Sequence, residues 1–162
     1  MSSIKYSSVF ETPLGWFKAV IIKDELTELV FTDLKSEESD DHPLLKEVTF
    51  QLNAYAKGEL KKFSIPLNPE GTTFQKRVWA KLRNVPYGAR ISYLELAEMY
   101  GDRKAIRAVA AANGQNPIAI IIPCHRIIGK GGELTGYAWG LDTKKELLQL
   151  EMENSPQFDL FG

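Results

Sequence analysis

The chain has 162 residues, a 44% apolar share and a net charge of −1, from 20 basic against 21 acidic side chains. That size holds one domain or two small ones, and no apolar run is long enough to span a bilayer. A single cysteine, Cys124, excludes an internal disulfide, and with only His42 and His125 beside it no zinc cage is expected. Residues 1–6 lack a signal-peptide core, so a cytoplasmic location without membrane contact is expected.

In chain order, residues 4–10, 16–22 and 26–31 read as a strand meander, with Thr12-Pro13-Leu14-Gly15 as its first turn. Residues 33–41 are acidic and read as a loop. Residues 43–57 form an amphipathic helix, with Leu44, Leu45, Val48, Leu52 and Tyr55 on one side, Pro43 at its start and Gly58 at its stop. A short strand is expected over 63–67, and Asn68-Pro69-Glu70-Gly71 is the best linker.

From Thr72 the pattern turns helical. Phe74, Val78, Trp79 and Leu82 make one apolar stripe on a helix to about Asn84, and Val85-Pro86-Tyr87-Gly88 is a turn. Ser92 with Glu95 is a capping box that opens a helix to about Tyr100. Gly101 breaks it, Asp102 caps a second helix to about Asn113, and Gly114 stops that one, so the pair reads as a helix-turn-helix. Asp142 is expected to cap a last helix through Glu151, packed by Leu147, Leu148 and Met152, before a tail over 154–162.

Charge divides with the pattern. Residues 1–70 carry 8 basic and 12 acidic side chains, residues 71–126 carry 9 and 3, and the remainder 3 and 6. A basic segment in an otherwise acidic chain suits a polyanion, although a solvated helix face has the same composition. The second helix of the pair, Arg103 to Asn113, is nearly all alanine in its middle, with Arg107 as its one long donor. Small side chains let a helix backbone approach a narrow groove and read little sequence, as they also let a helix pack closely inside a protein.

The stretch from Asn116 to Ile128 organises the rest. Its isoleucine run reads as a buried strand, stopped by Pro123, after which Cys124, His125 and Arg126 follow at once. Cysteine reacts as thiolate, and an imidazole is one of few ways to supply it near neutral pH. A lone cysteine is also commonly a small buried apolar residue. Neighbouring residues in extended chain face opposite ways, so a water would link the two side chains.

Residues 72–151 resemble the O6-alkylguanine-DNA alkyltransferases, the methylated-DNA–protein-cysteine methyltransferases. The match is carried by Pro-Cys-His-Arg, by Asn116-Pro117 eight and seven positions before the cysteine, by Ser92-Tyr93 and by Arg107-Ala108-Val109, in order and spacing. Residues 1–70 agree only through the Thr-Pro-Leu-Gly turn and the strand pattern. The resemblance implies an α/β (α+β) chain: a small antiparallel-sheet, ribonuclease-H-like domain over 1–70, then a winged-helix-like, helix-turn-helix DNA-binding and alkyl-acceptor domain over 71–153. It implies a monomer without cofactor or metal that moves an alkyl group, chiefly methyl, from guanine O6 in duplex DNA to its own Cys124, irreversibly and once. O4-alkylthymine is a secondary substrate.

By the same resemblance, His125 activates the thiol through a water, Glu151 orients that histidine, and Asn116 ties the active-site loop to the helical pair. Tyr93 helps rotate the nucleotide out and Arg107 fills the vacated stack. Arg103, Lys104, Ala105 and Ala110 belong to the DNA face, and Arg126, Ile127, Tyr137, Ala138 and Trp139 to the base pocket and its rim. There the Ala138 N–H donates to the guanine oxygen, and carbonyls near Cys124 and Ile127 hold the guanine amine. Extrusion of the base costs roughly a few kcal/mol, which a wedge and a plug reduce. The chain departs from the family in lacking the ligands for the structural zinc that some members carry and the cysteine-rich domain of the regulatory ones. Trp139 stands where many members have glycine, which implies a tighter pocket. Rival readings are a lesion-binding module without chemistry, whose members replace the cysteine, a thiol hydrolase and a transcriptional regulator. The tail residues Gln157, Leu160 and Phe161 resemble the short peptide with which bacterial repair proteins bind the sliding clamp.

Overall fold

The computed structural model describes residues 3–155, so the tail motif at Gln157, Leu160 and Phe161 lies outside the described residues. The chain divides into two compact units. One comprises the residues up to Glu70 together with Pro117–Ala119, and the other runs from Gly71 to Asn116 and onward from Ile120.

The first unit is built on an antiparallel sheet of β1 (Lys5–Thr12), β2 (Gly15–Ile22), β3 (Glu25–Phe31) and β4 (Glu38–Ser39), in the order β3-β2-β1-β4. The Thr12 hydroxyl closes the first turn by donating to the Gly15 carbonyl at 3.0 Å and accepting from the Leu14 N–H at 3.1 Å. The second turn places Lys23 and Asp24 both at positive φ, 51° and 61°, the geometry that suits the twist of a two-residue hairpin. Helix α1 (Pro43–Ala56) lays Leu45, Val48, Gln51, Leu52 and Tyr55 inward. Its cap is His42, whose Nδ1 accepts from the Leu44 N–H at 3.0 Å while Nε2 meets Asp24 at 3.0 Å.

Three expectations are corrected here. β4 falls inside the expected acidic loop, because pairing to Ser8 and Val9 makes it a strand, not its own composition. Residues 63–67 form no strand, and only Leu67 bridges, to Leu26. The isoleucine run is buried throughout, yet it is no strand. Ile118 alone bridges Leu29, whose N–H donates to the Pro117 carbonyl at 3.0 Å and whose carbonyl accepts from the Ala119 N–H at 2.7 Å. The chain then turns, with Ile120 at φ 69°. A β-branched residue there costs about 1–3 kcal/mol, tolerated only where the surroundings fix it.

The second unit holds α2 (Thr73–Leu82), α3 (Tyr93–Tyr100), α4 (Ile106–Gly114) and α5 (Leu141–Glu153), with β5 (Ile91–Ser92) paired in parallel to β6 (Ile127–Ile128). Thr72 and Gln75 form a capping box at α2, and Ser92 and Glu95 form one at α3. Gly101 ends α3 at φ 108°, a left-handed position that glycine takes without strain. Asp102 then accepts from the Lys104 N–H at 2.9 Å, opening one 3₁₀ turn over Arg103–Ala105 before α4. Trp79 Nε1 donates to the Ala112 carbonyl at 2.8 Å and so fastens α2 to α4. Asp142 does not cap the last helix. Gly140 occupies that position, and Asp142 lies in the first turn, where its charge complements the helix dipole. No helix among the described residues is long and apolar enough to cross a membrane.

Candidate active site

Pro123 ends the buried run, and Cys124–Arg126 make a single 3₁₀ turn that feeds β6. Because β6 pairs with β5, with Ile91 opposite Ile127 and Ser92 opposite Ile128, the turn lies beside the residue that caps α3. Cys124 is 3% exposed. Asn116 Nδ2 donates to its Sγ at 3.2 Å and to the Ile122 carbonyl at 2.8 Å, so one amide fixes both the sulfur and the backbone leading to it. Burial pushes the thiol up to about 11, against the pull of the Asn116 hydrogen bond and the Lys144 charge. The resting sulfur is therefore protonated and needs a base as it attacks.

An imidazole follows at once in the chain. His125 is wholly buried, and its Nε2 meets Glu151 Oε2 at 2.6 Å. Burial works to raise the Glu151 carboxyl, but His125 and Arg126 outweigh it and hold the group well below the ordinary carboxylate range. Arg126 donates from Nε to Oε1 at 2.8 Å and from Nη2 to Oε2 at 3.1 Å, and the Gly88 N–H donates to Oε1 at 3.2 Å. With its charge met by Arg126, the carboxylate does not require an imidazolium. Burial, reinforced by the Arg126 and Lys144 charges, pulls His125 below its usual value despite Glu151. A neutral ring that donates Nε2–H to Glu151 keeps its lone pair on Nδ1, and Nδ1 has no hydrogen-bond partner among the described residues. The ring is thus held in the form that accepts a proton.

Arg126 requires a correction. Expected near the base pocket, it is 7% exposed and turned inward, with Nη1 donating to the Val85 carbonyl at 2.7 Å and the rest of its fork on Glu151. Its place in the chain next to His125 carried the expectation, but a buried carboxylate of this kind demands a buried cation. The Ile127 N–H donates to the Cys124 carbonyl and the Ile127 carbonyl accepts from Lys144, so each of these two oxygens keeps one further lone pair.

The 133–140 segment is tied to α3 through Tyr93 and to α5 through Lys144. The Tyr93 hydroxyl donates to the Thr135 carbonyl at 3.1 Å and accepts from the Thr135 hydroxyl at 3.3 Å. The buried Tyr137 hydroxyl has no partner among the described residues, and its ring meets Trp139 edge-on at 5.3 Å. Ala138 is exposed. On the helical pair, Arg107 is exposed and makes no ion pair among the described residues, and Arg103 meets Glu98 at 3.4 Å. Lys104 is exposed, while Ala105 and Ala110 are half-buried. The structure thus brings together Asn116 with Cys124, and His125 with Glu151 and Arg126, and leaves the basic residues of the helical pair at the surface.

Sequence reasoning missed Lys144. It occupies the inward stripe of α5 with Leu147, Leu148 and Glu151, and a charged residue in phase with buried leucines was the available signal. Among the described residues, no cluster of three His, Cys, Asp or Glu side chains stands together to hold a metal.

The chain is similar to known proteins along most of its length. Residues 73–153 match the family model for the DNA binding domain of 6-O-methylguanine DNA methyltransferase. A methylated-DNA–protein-cysteine methyltransferase of Methanosarcina acetivorans is 46% identical over 154 residues, 90% of this chain and 97% of its own length. One from Mycolicibacterium paratuberculosis is 44% identical, covering 94% of this chain and 95% of its own. Among solved structures, the Mycobacterium tuberculosis O6-methylguanine methyltransferase superposes with a TM-score of 0.84 at 40% identity, over 98% of this chain and 100% of that one. The same organism's OGT in complex with DNA gives a TM-score of 0.82 at 42% identity, over 95% of this chain and 98% of that one. On a match spanning half the chain and on relatives alike along nearly all of it, the chain belongs to the methylated-DNA–protein-cysteine methyltransferase family.

Proposed function

We propose that this protein repairs DNA by direct reversal, moving the alkyl group of O6-alkylguanine in duplex DNA onto Cys124. The observation that carries the reading is the pair of His125 and Glu151: a buried imidazole with its proton pinned on Nε2 and a basic Nδ1, one residue from a thiol held by Asn116. The thiol gives its proton to Nδ1 through a water. Sulfur bonds to the alkyl carbon, and the bond from that carbon to O6 breaks with its electron pair left on the base. The base takes up a proton and ends as guanine. The Ala138 N–H, joined by the Tyr93 hydroxyl once it lets go of the Thr135 carbonyl, offsets charge on the leaving base, most effectively with water excluded. A thioether is a poor leaving group and the chain has no second thiol, so each molecule acts once.

The damaged base has to leave the stack to reach a buried sulfur. Arg107, long, exposed and set among alanines, suits the space it vacates, and Arg103 and Lys104 suit the phosphates. O4-alkylthymine is a second substrate of the same pocket. The protein works as a monomer in the cytoplasm, and Gln157, Leu160 and Phe161 tether it to a sliding clamp; deletion of residues 157–162 is expected to abolish clamp binding. The decisive test of the main reading is intact-mass analysis after mixing with a duplex that carries O6-methylguanine. One methyl is expected on Cys124 and none in Cys124→Ser, and an unmodified wild-type protein would overturn it in favour of a lesion binder.

A further inference from the structure

The first unit holds none of Cys124, His125, Glu151 and Asn116, yet it carries a groove of about 590 Å³ where β1, β4 and α1 meet. Ser8 and Phe10 of β1, Glu37 and Glu38 at β4, and Lys46 and Phe50 of α1 line it. Ser8 is 3% exposed, and its hydroxyl has no hydrogen-bond partner among the described residues. A buried hydroxyl left unpaired costs stability that a bound donor or acceptor returns. Phe50, on the same groove, is 70% exposed. A lone exposed apolar side chain is ordinary, but an aromatic beside a groove with an unpaired polar group has the make-up of a protein contact.

Charge decides what fits there. Asp40 accepts from the Ser7 N–H at 2.8 Å, and Asp41 meets Lys46 at 3.5 Å, so the cation that lines the groove is already matched. Glu37 and Glu38 are exposed, and neither is in an ion pair among the described residues. Two carboxylates beside an apolar floor repel phosphate and attract cations. β4 also ends its sheet, so an extended chain can find main-chain partners along its outer edge.

We propose that this groove is a docking site for another protein, and that its occupant is a short extended segment carrying lysine or arginine beside apolar side chains. The cations meet Glu37 and Glu38, an apolar side chain packs on Phe50 and Phe10, and a main-chain group pairs with the Ser8 hydroxyl. Basic arms of nucleic-acid-binding proteins have this character. The chain's own residues 156–162 do not, for they include one acid, Asp159, and no cation. The inference rests on the first unit alone and stands apart from the alkyl-transfer reading.

The test is fluorescence anisotropy of a labelled octapeptide of alternating lysine and leucine, titrated with the full chain, against the same peptide with glutamate for lysine. The lysine peptide is expected to bind one to one, and the glutamate peptide at least tenfold more weakly. Phe50→Ser, and Glu37→Lys combined with Glu38→Lys, should each weaken binding about tenfold and leave the single-turnover rate of methyl transfer unchanged. Should Phe50→Ser fail to fold, the glutamate pair carries the comparison. Absence of binding, equal binding of the two peptides, or variants within about twofold of the wild type overturns the proposal. A wild-type dimer in sedimentation that Phe50→Ser dissolves overturns it in favour of a second copy, and tighter peptide binding on deletion of residues 157–162 overturns it in favour of the chain's own tail.

Discussion

Glu151→Gln probes the centre of the site with a change of one charge and almost no volume. In the wild type the carboxylate is 1% exposed and accepts hydrogen bonds from His125, from two nitrogens of Arg126 and from the Gly88 N–H. The amide removes the counter-charge of a guanidinium that is 7% exposed and presents N–H groups to donors. Breaking a buried pair from one side costs about 3–5 kcal/mol, a large part of the roughly 5–15 kcal/mol that holds a domain folded. At about 2–4 °C per kcal/mol for a chain of this size, the melting temperature should fall by roughly 6–20 °C. The same change lets His125 lose its fixed tautomer, so methyl transfer should slow by about a hundredfold or more. Circular-dichroism melting and rapid-quench transfer measure the two effects separately. Adding Arg126→Met to Glu151→Gln should recover part of the stability, because the unpaired cation is gone, but none of the rate. A melting point within about 2 °C of the wild type, or a double variant less stable than Glu151→Gln alone, would refute the reasoning.

Four further outcomes are expected. Stability should drop on acidification: His125 is held neutral in the fold and Glu151 ionised, so the unfolded chain takes up protons first, beginning near pH 6.5 for the histidine and below about pH 5 for the carboxyl; urea titrations at stepped pH measure the slope. Thiolate absorbance of the free protein should rise with a midpoint near 11, and Asn116→Ala should move that midpoint up and slow transfer by about tenfold or more, since the amide favours the anion. Arg107→Ala should leave the melting temperature unchanged and weaken duplex binding, with a salt dependence shallower by about one counterion, as fluorescence anisotropy would show. Trp139→Gly should admit O6-benzylguanine roughly tenfold faster in a competition assay, while methyl transfer stays near the wild-type rate.

Local signals were legible and tertiary ones were not. Ser92 with Glu95, Gly101 and Asp102 are read from a few neighbouring residues because caps and stops act on the peptide groups beside them. The isoleucine run marked burial correctly and its geometry wrongly, since a β-branched run reports a dry environment and says little about whether a partner strand is present. Two-residue β4 owes its existence to Ser8 and Val9, far away in sequence. At the site, the thiol and its neighbouring imidazole stood out in one stretch, and Asn116 and Glu151 came from resemblance. The inward fork of Arg126 and the three carbonyls of Lys144 depend on where Val85, Thr135 and Gly136 fall in space, which spacing along the chain does not encode.

The detour at Pro117–Ala119 carries a practical lesson for dissection. These three residues belong with the sheet of the first unit, pinned to Leu29 by two peptide hydrogen bonds, and the nucleophile follows five residues after Ala119. A fragment trimmed to the boundaries of the matched family model would keep the detour and discard Leu29. Its mooring cut, the buried isoleucine run would enter the Cys124 turn from a frayed lead. The amino-terminal unit is therefore no detachable ornament, and a split version of this protein should regain activity only when that piece is supplied in trans.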